Sequence, residues 1–177
     1  ADYTLTYQIV LVDGGLNLFP KWANQEQSAF YYTAYDHKIP TLYRFDLATG
    51  TPTRIISSGG MLVASDVSKD GNKILLTMAP SDQPDVHIYD LRTKSLQKIT
   101  QYSGVDVNAQ FVENEKKIVF VSDRLGYPNL FIQTIGGSDP KQLVWHGRNN
   151  TAVSTYQNYI VYSSREPEQK GVFNIYL

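Results

Sequence analysis

The sequence predicts an all-β chain built as a β-propeller of four-stranded antiparallel blades, about four blades' worth. Three observations predict it. A repeat of about 44 residues runs through all 177 residues. Short runs of Val, Ile, Thr and aromatics are separated by Gly, Pro, Asn and Asp, with no window of a dozen residues keeping a 3.6-residue period. Thirteen Tyr, seven Phe and two Trp lie mostly beside β-branched residues, a composition that suits pleated, half-buried surfaces.

The period is read from strand c, the third of each unit. Leu42-Tyr43-Arg44-Phe45-Asp46-Leu47 aligns with Val86-His87-Ile88-Tyr89-Asp90-Leu91 and with Leu130-Phe131-Ile132-Gln133-Thr134-Ile135; Ile175-Tyr176-Leu177 begins the next copy, at offsets of 44, 44 and 45 residues. Asp2, Asp46 and Asp90 share one phase. Trp22, Val67, Phe111 and Tyr156 share another.

Each unit divides in the same way. The innermost strand a is expected at 19–22, 63–67, 108–112 and 152–156. Strand b is expected at 29–33, 73–78, 118–122 and 159–163. Strand d is expected at 7–11, 53–56, 96–100 and 141–144. Gly50, Gly136 and Gly137 and their polar neighbours suit the tight c–d reversals, and Asp70-Gly71 suits an a–b hairpin. Runs such as Ile118-Val119-Phe120-Val121 are apolar on successive residues, as strands covered on both faces are. The aspartates recurring at the end of strand c read as caps of Asx-type turns.

The phase divides the chain into an outer strand of a first blade (1–15), blades at 16–57, 58–101 and 102–145, and an incomplete blade at 146–177. Residues 7–11 either complete the last blade of a four-membered ring or belong to a larger propeller of which this chain is a segment, and the segment reading is preferred. Such a segment leaves an apolar sheet face open at each end.

Composition narrows the function. Sixteen Lys and Arg against seventeen Asp and Glu give a net charge of −1, which argues against a nucleic-acid partner. With no Cys there are no disulfides, thiolate metal sites or cysteine nucleophiles. No apolar run reaches the roughly 18–20 residues of a membrane span, so no direct membrane insertion is expected. Ala1-Asp2-Tyr3 does not open a basic-then-apolar signal peptide; for an exported protein that peptide is removed or lies outside this chain.

Several blade motifs resemble the repeat of the TolB family of propellers. Phe19-Pro20-Lys21-Trp22 matches the start of its strand a, and Val67-Ser68-Lys69-Asp70-Gly71-Asn72-Lys73-Ile74 matches its a–b hairpin. Residues Ile118-Val119-Phe120-Val121-Ser122-Asp123-Arg124-Leu125-Gly126 match its b–c half. Gln25-Glu26-Gln27 and Glu113-Asn114-Glu115 stand where the repeat has Pro-Asp-Gly. The resemblance implies a periplasmic, non-catalytic protein of the Tol-Pal system, with an N-terminal α/β domain and a six-bladed propeller. It implies binding to the peptidoglycan-associated lipoprotein Pal and to other Tol proteins, and no cofactor. Carried over by motif, the partner-binding positions fall at Met61, Ala64, Val107 and Asn108. Met61 and Val107 are apolar where the family typically has polar residues.

The loops joining strand d to the next strand a, with the b–c loops, share one face of a propeller. Here they span 14–18, 57–62, 101–107 and 145–151. Their amides, aromatics and charges, with His146 and Asn149 among them, suit peptide recognition. Other readings are a regulatory propeller of a serine peptidase and a metal-dependent propeller hydrolase. The three His form no HxH or HExxH spacing, no G-x-S-x-G elbow is present, and the inner strands at 19–22 and 63–67 lack the Glu, Asn, Asp and His set of a calcium lactonase. Asp66 and Asp106 are the carboxylates placed to hold a cation near the channel. Bonds to neighbouring backbone are the simpler role for them.

Overall fold

The computed structural model describes residue 11 and residues 15–23, 25–36, 38–137, 139–157, 159–167 and 171–177. Among these, fifteen strands form four antiparallel meanders. The first sheet holds β1 (Leu16–Trp22), β2 (Ala29–Asp36), β3 (Ile39–Asp46) and β4 (Thr51–Ser57). The second holds β5 (Met61–Val67), β6 (Lys73–Ala79), β7 (Asp85–Asp90) and β8 (Ser95–Lys98). The third holds β9 (Asp106–Val112), β10 (Lys117–Ser122), β11 (Asn129–Thr134) and β12 (Lys141–Gln142). The last holds β13 (Arg148–Tyr156), β14 (Tyr159–Arg165) and β15 (Phe173–Tyr176). The expected strand at 7–11 lies almost wholly outside the described residues.

The period-2 alternation of the b strands builds the core. In β6, Ile74 and Leu76 pack toward the first sheet with Tyr31, Leu42 and Leu62. Leu75 faces the third sheet with Phe111, Ile118 and Phe120. In β10, Val119 and Val121 turn instead to Leu130, Val153 and Tyr162 of the third and last sheets. Each side chain so buried contributes roughly 1.5–3 kcal/mol. The last sheet is buried on one face. On the other, Tyr159, Val161, Phe173 and Ile175 are exposed, a face that no other described sheet covers. At the opposite end, Trp22, Phe30, Tyr32, Tyr43 and Phe45 line the far face of the first sheet, with Tyr32 and Tyr43 stacked 5.6 Å apart.

The inner strands start two to four residues earlier than expected, at Leu16, Met61, Asp106 and Arg148. The reason is a β-bulge in each. The register shifts between Leu18 and Lys21, between Ala64 and Asp66, opposite Val119 and Val121, and on either side of Thr151. Phe19, Asn108 and Ala152 have φ of 56°, 53° and 51° at these shifts. A bulge breaks the two-residue alternation, so periodicity alone shows only the part of the strand beyond it. Strand β12 is shorter than expected, pairing only at Lys141 and Gln142. The chain still follows its neighbour: the Leu143 amide donates to the Leu130 carbonyl, and Asn129 Nδ2 donates to the Val144 carbonyl.

The turns follow residue chemistry. Asp46 Oδ1 accepts from the amides of Ala48 and Thr49, and Asp90 Oδ1 from those of Arg92 and Thr93. These are the expected Asx caps. In the third sheet Thr134 takes the aspartate's place. There the Gly137 amide donates to the Thr134 carbonyl, and Gly136 supplies φ of 73°. Where Glu113-Asn114-Glu115 replaces Pro-Asp-Gly, the three residues have φ of 50°, 54° and 64°, a costly left-handed turn for side chains with a Cβ.

Candidate functional site: the face of the d–a and b–c loops

The start of each inner strand pairs with the end of strand b. Met61 lies opposite Ala79, Asp106 opposite Ser122 and Arg148 opposite Arg165. These ends, with the loops beyond them, make one face. Inner strands of successive sheets are neighbours, β1 with β5, β5 with β9 and β9 with β13. Their side chains therefore line a common wall.

On that wall a groove of about 410 Å³ runs across three blades. Phe19 and Pro20 come from β1, Met61, Val63 and Ala64 from β5, and Val107 and Asn108 from β9. Met61 is 41% exposed and Phe19 43%, so two large apolar side chains stand open to a partner. The polar groups at the base are engaged with one another. Ser65 Oγ and Thr77 Oγ1 are 3.2 Å apart, and the Asn108 amide donates to Thr77 Oγ1 at 3.2 Å. Gln110 Nε2 donates to the Ser65 carbonyl at 2.7 Å.

The groove thus brings together Met61, Ala64, Val107 and Asn108. All four sit within strands, although Met61 and Val107 were expected in loops. His146 and Asn149 are not among its lining residues. Asn149 lies on β13, next to Asn150, with φ of 61°. His146 stays in a loop and is clasped to the last sheet. Its Nδ1 is 2.6 Å from Glu166 Oε1 and its Nε2 2.7 Å from the Tyr162 hydroxyl, while its ring lies 4.8 Å from that of Tyr176. Desolvation raises the Tyr162 phenol above its usual range. Beside the clasp, Trp145 is 81% exposed. Asn150 is structural: its Nδ2 donates to Asn129 Oδ1 and to the His146 carbonyl. Phe19, Pro20, Val63 and Thr77 are groove residues that the loop-based reading omitted. The signal that could have found Phe19 is its place in phase with Ala64 and Asn108, 45 and then 44 residues apart.

The carboxylates near the channel are held by protein donors. Asp66 Oδ2 accepts from the Phe111 amide at 2.9 Å, and its Oδ1 is 3.3 Å from Lys21 Nζ. Asp106 takes a bidentate contact from Arg124 Nη2, 3.1 Å to each oxygen. Among the described residues no group of three or more His, Cys, Asp or Glu is placed to hold a metal ion. His37 lies outside the described residues. His87 is buried inside β7, where desolvation pushes its imidazole below the usual range. At the opposite mouth, a more polar hollow of about 520 Å³ is lined by residues such as Asp66, Lys69, Glu113, Glu115, Tyr156 and Gln157. Among the described residues, no helix is long and apolar enough to cross a membrane.

Comparison with known proteins agrees with this architecture. Residues 4–176 match the family model described as the TolB beta propeller domain. The chain is 67% identical over 178 residues to the Tol-Pal system protein TolB of Campylobacter jejuni strain RM1221, covering all of this chain and 44% of that protein. It is 54% identical over 182 residues to the TolB of Wolinella succinogenes, covering 43% of it. The chain therefore spans less than half the length of these curated relatives. Among solved structures, TolB from Acinetobacter baumannii superposes with a TM-score of 0.79 at 27% identity, over 91% of this chain and 43% of that one.

Proposed function

The chain belongs to the TolB β-propeller family, and we propose that it forms the docking part of a Tol-Pal system protein, binding the peptidoglycan-associated lipoprotein Pal on the face of the d–a and b–c loops. The protein is periplasmic, and its role in the system is binding, not catalysis. Pal and other Tol proteins are its partners in keeping the outer membrane intact. The apolar groove spanning β1, β5 and β9 carries the proposal. It joins Met61, Ala64, Val107 and Asn108, the positions to which the family resemblance assigns partner contact, on strands that a partner cannot deform. Rigid strands present these side chains with little ordering cost on binding. His146 and Asn149 add contacts from the last blade at the edge of a standard interface, on the order of 1,200–2,000 Å².

The test is calorimetric titration of Pal into the full-length protein. Met61→Asp and Val107→Asp each place an unpaired charge in a desolvated contact and weaken binding by about 1–3 kcal/mol. Gln97→Lys, on the exposed outer strand β8, leaves affinity unchanged. Undiminished affinity in both aspartate variants would place the Pal site on another surface.

A further inference from the structure

We infer that the groove selects an uncharged apolar side chain on an extended partner segment, and that Asn108 Oδ1 receives that segment's backbone N–H. The inference deepens the docking reading and rests on it.

Charge is the first argument. No residue lining the groove is charged. The ionic groups that flank the lining residues on the inner strands are already paired, Lys21 with Asp66 at 3.3 Å and Asp106 with Arg124 at 3.1 Å. A charged side chain entering the groove would lose its water without finding a counter-charge, whereas an apolar one gains burial against Met61, Phe19, Val63 and Val107.

The second argument is hydrogen-bonding capacity. Ser65 Oγ and Thr77 Oγ1 face each other, and Thr77 Oγ1 also accepts the Asn108 amide. The Ser65 carbonyl is occupied by Gln110. Pro20 has no N–H to offer. The base therefore has little to give a polar guest. The exception is Asn108. Its Nδ2 points to the Val153 carbonyl at 3.5 Å, and among the described residues its Oδ1 accepts no hydrogen bond. The bulge that gives Asn108 its φ of 53° sets this carboxamide at the groove edge. There an amide N–H is the natural donor.

Shape is the third. A groove of about 410 Å³ is in the range of pockets that seat small groups. A helix, about 10–12 Å across with its side chains, is too wide to enter it. An extended segment can lower one side chain into it while its backbone passes along the rim.

The experiment uses the full-length protein with ¹³C-labelled Met and Val methyls, titrated with blocked amino acids as single-side-chain probes. N-acetyl-leucine amide is expected to shift the Met61 and Val107 methyls saturably and leave the buried Met78 methyl unmoved. N-acetyl-aspartate amide and N-acetyl-lysine amide are expected to bind at least tenfold more weakly. Asn108→Gly tolerates the left-handed backbone and removes the acceptor, so it should weaken the leucine probe severalfold while Met61 still reports binding. The inference is overturned if the charged probes bind as well as leucine, if leucine moves neither methyl, or if Asn108→Gly changes nothing. Pal separates the two readings. A leucine probe that binds as expected but is not displaced by Pal sinks the docking proposal and leaves the groove chemistry standing. Loss of Pal binding in Met61→Asp, with no leucine binding to the unsubstituted protein, does the reverse.

Discussion

Gln110 Nε2 donates to the Ser65 carbonyl at 2.7 Å, tying the inner strand of one blade to that of the blade before it, 45 residues earlier. The same spacing recurs along the wall. Lys21 pairs with Asp66, the Phe111 amide donates to Asp66, and Thr155 Oγ1 donates to the Phe111 carbonyl. Residues one period apart are thus bonded across the blade junctions. The repeat becomes a chain of nearest-neighbour ties, as in other repeat architectures.

Cutting one tie should weaken one junction. Gln110 is buried, and replacing it with Leu leaves the Ser65 carbonyl without this donor. Gln110→Leu should cost about 1–3 kcal/mol in urea unfolding. Hydrogen exchange should rise on β5 and β9 more than on β1 or β13. A uniform rise would mean that the blades do not unfold as neighbours.

Two acid–base groups test one linkage rule: both are held below their usual values, so stability falls as pH falls for each. Asp70 is held at about 2, chiefly by the Ser68 hydroxyl and then by the amide and side chain of Asn72. Its contribution is complete above the usual aspartate value near 3.9 and is lost as pH falls through about 2. An NMR titration should place its midpoint near 2, and Ser68→Ala should move it upward.

His87 is lowered by desolvation, partly offset by the Asp85 carbonyl and carboxylate, while Lys98 pushes in the same direction as burial. Below about 6.5 the unfolded chain binds a proton that the folded chain resists, so stability declines as pH falls through and below that value. The urea midpoint should drop between pH 7.5 and 5.5, and His87→Gln should flatten that drop. An equal drop in the variant would assign the effect to other groups.

The blade order was legible because its markers are local. Asp46 and Asp90 cap turns with their own side chains, and the alternation Ile74-Leu75-Leu76 states which neighbour each residue faces. The bulges were not legible. Left-handed backbone at Phe19 and Ala152 carries no residue signal, since Gly or Asn would be the usual choice there. This hid the first residues of each inner strand and with them the apolar wall of the groove. The family resemblance singled out Met61, Ala64, Val107 and Asn108, and the blade phase put them on one rim. The clasp of His146 onto Glu166, Tyr162 and Tyr176 joins a d–a loop to strand β14, the residue after it and strand β15, and nothing in the spacing of these four residues announces it.

Asp106 and Arg124 supply the sharpest test of what is scaffold and what is surface. The sequence reading placed Asp106 within the loop at 101–107, yet its side chain is fully buried and, among the described residues, is held by the Arg124 guanidinium. That guanidinium also lies 4.7 Å from the Phe131 ring centroid and 5.0 Å from that of Tyr102. Removing the cation strands a buried carboxylate, so Arg124→Met should cost about 3–5 kcal/mol. Replacing both partners, Asp106→Leu with Arg124→Met, should cost less than Arg124→Met alone, because no charge is then left unpaired. Denaturant unfolding of the two variants checks the order. Well below their melting temperatures both should bind Pal as the unsubstituted protein does, since neither residue lines the groove. A loss of Pal affinity in the folded double variant would extend the contact on that face beyond the groove to Arg124 in the b–c loop of the third blade.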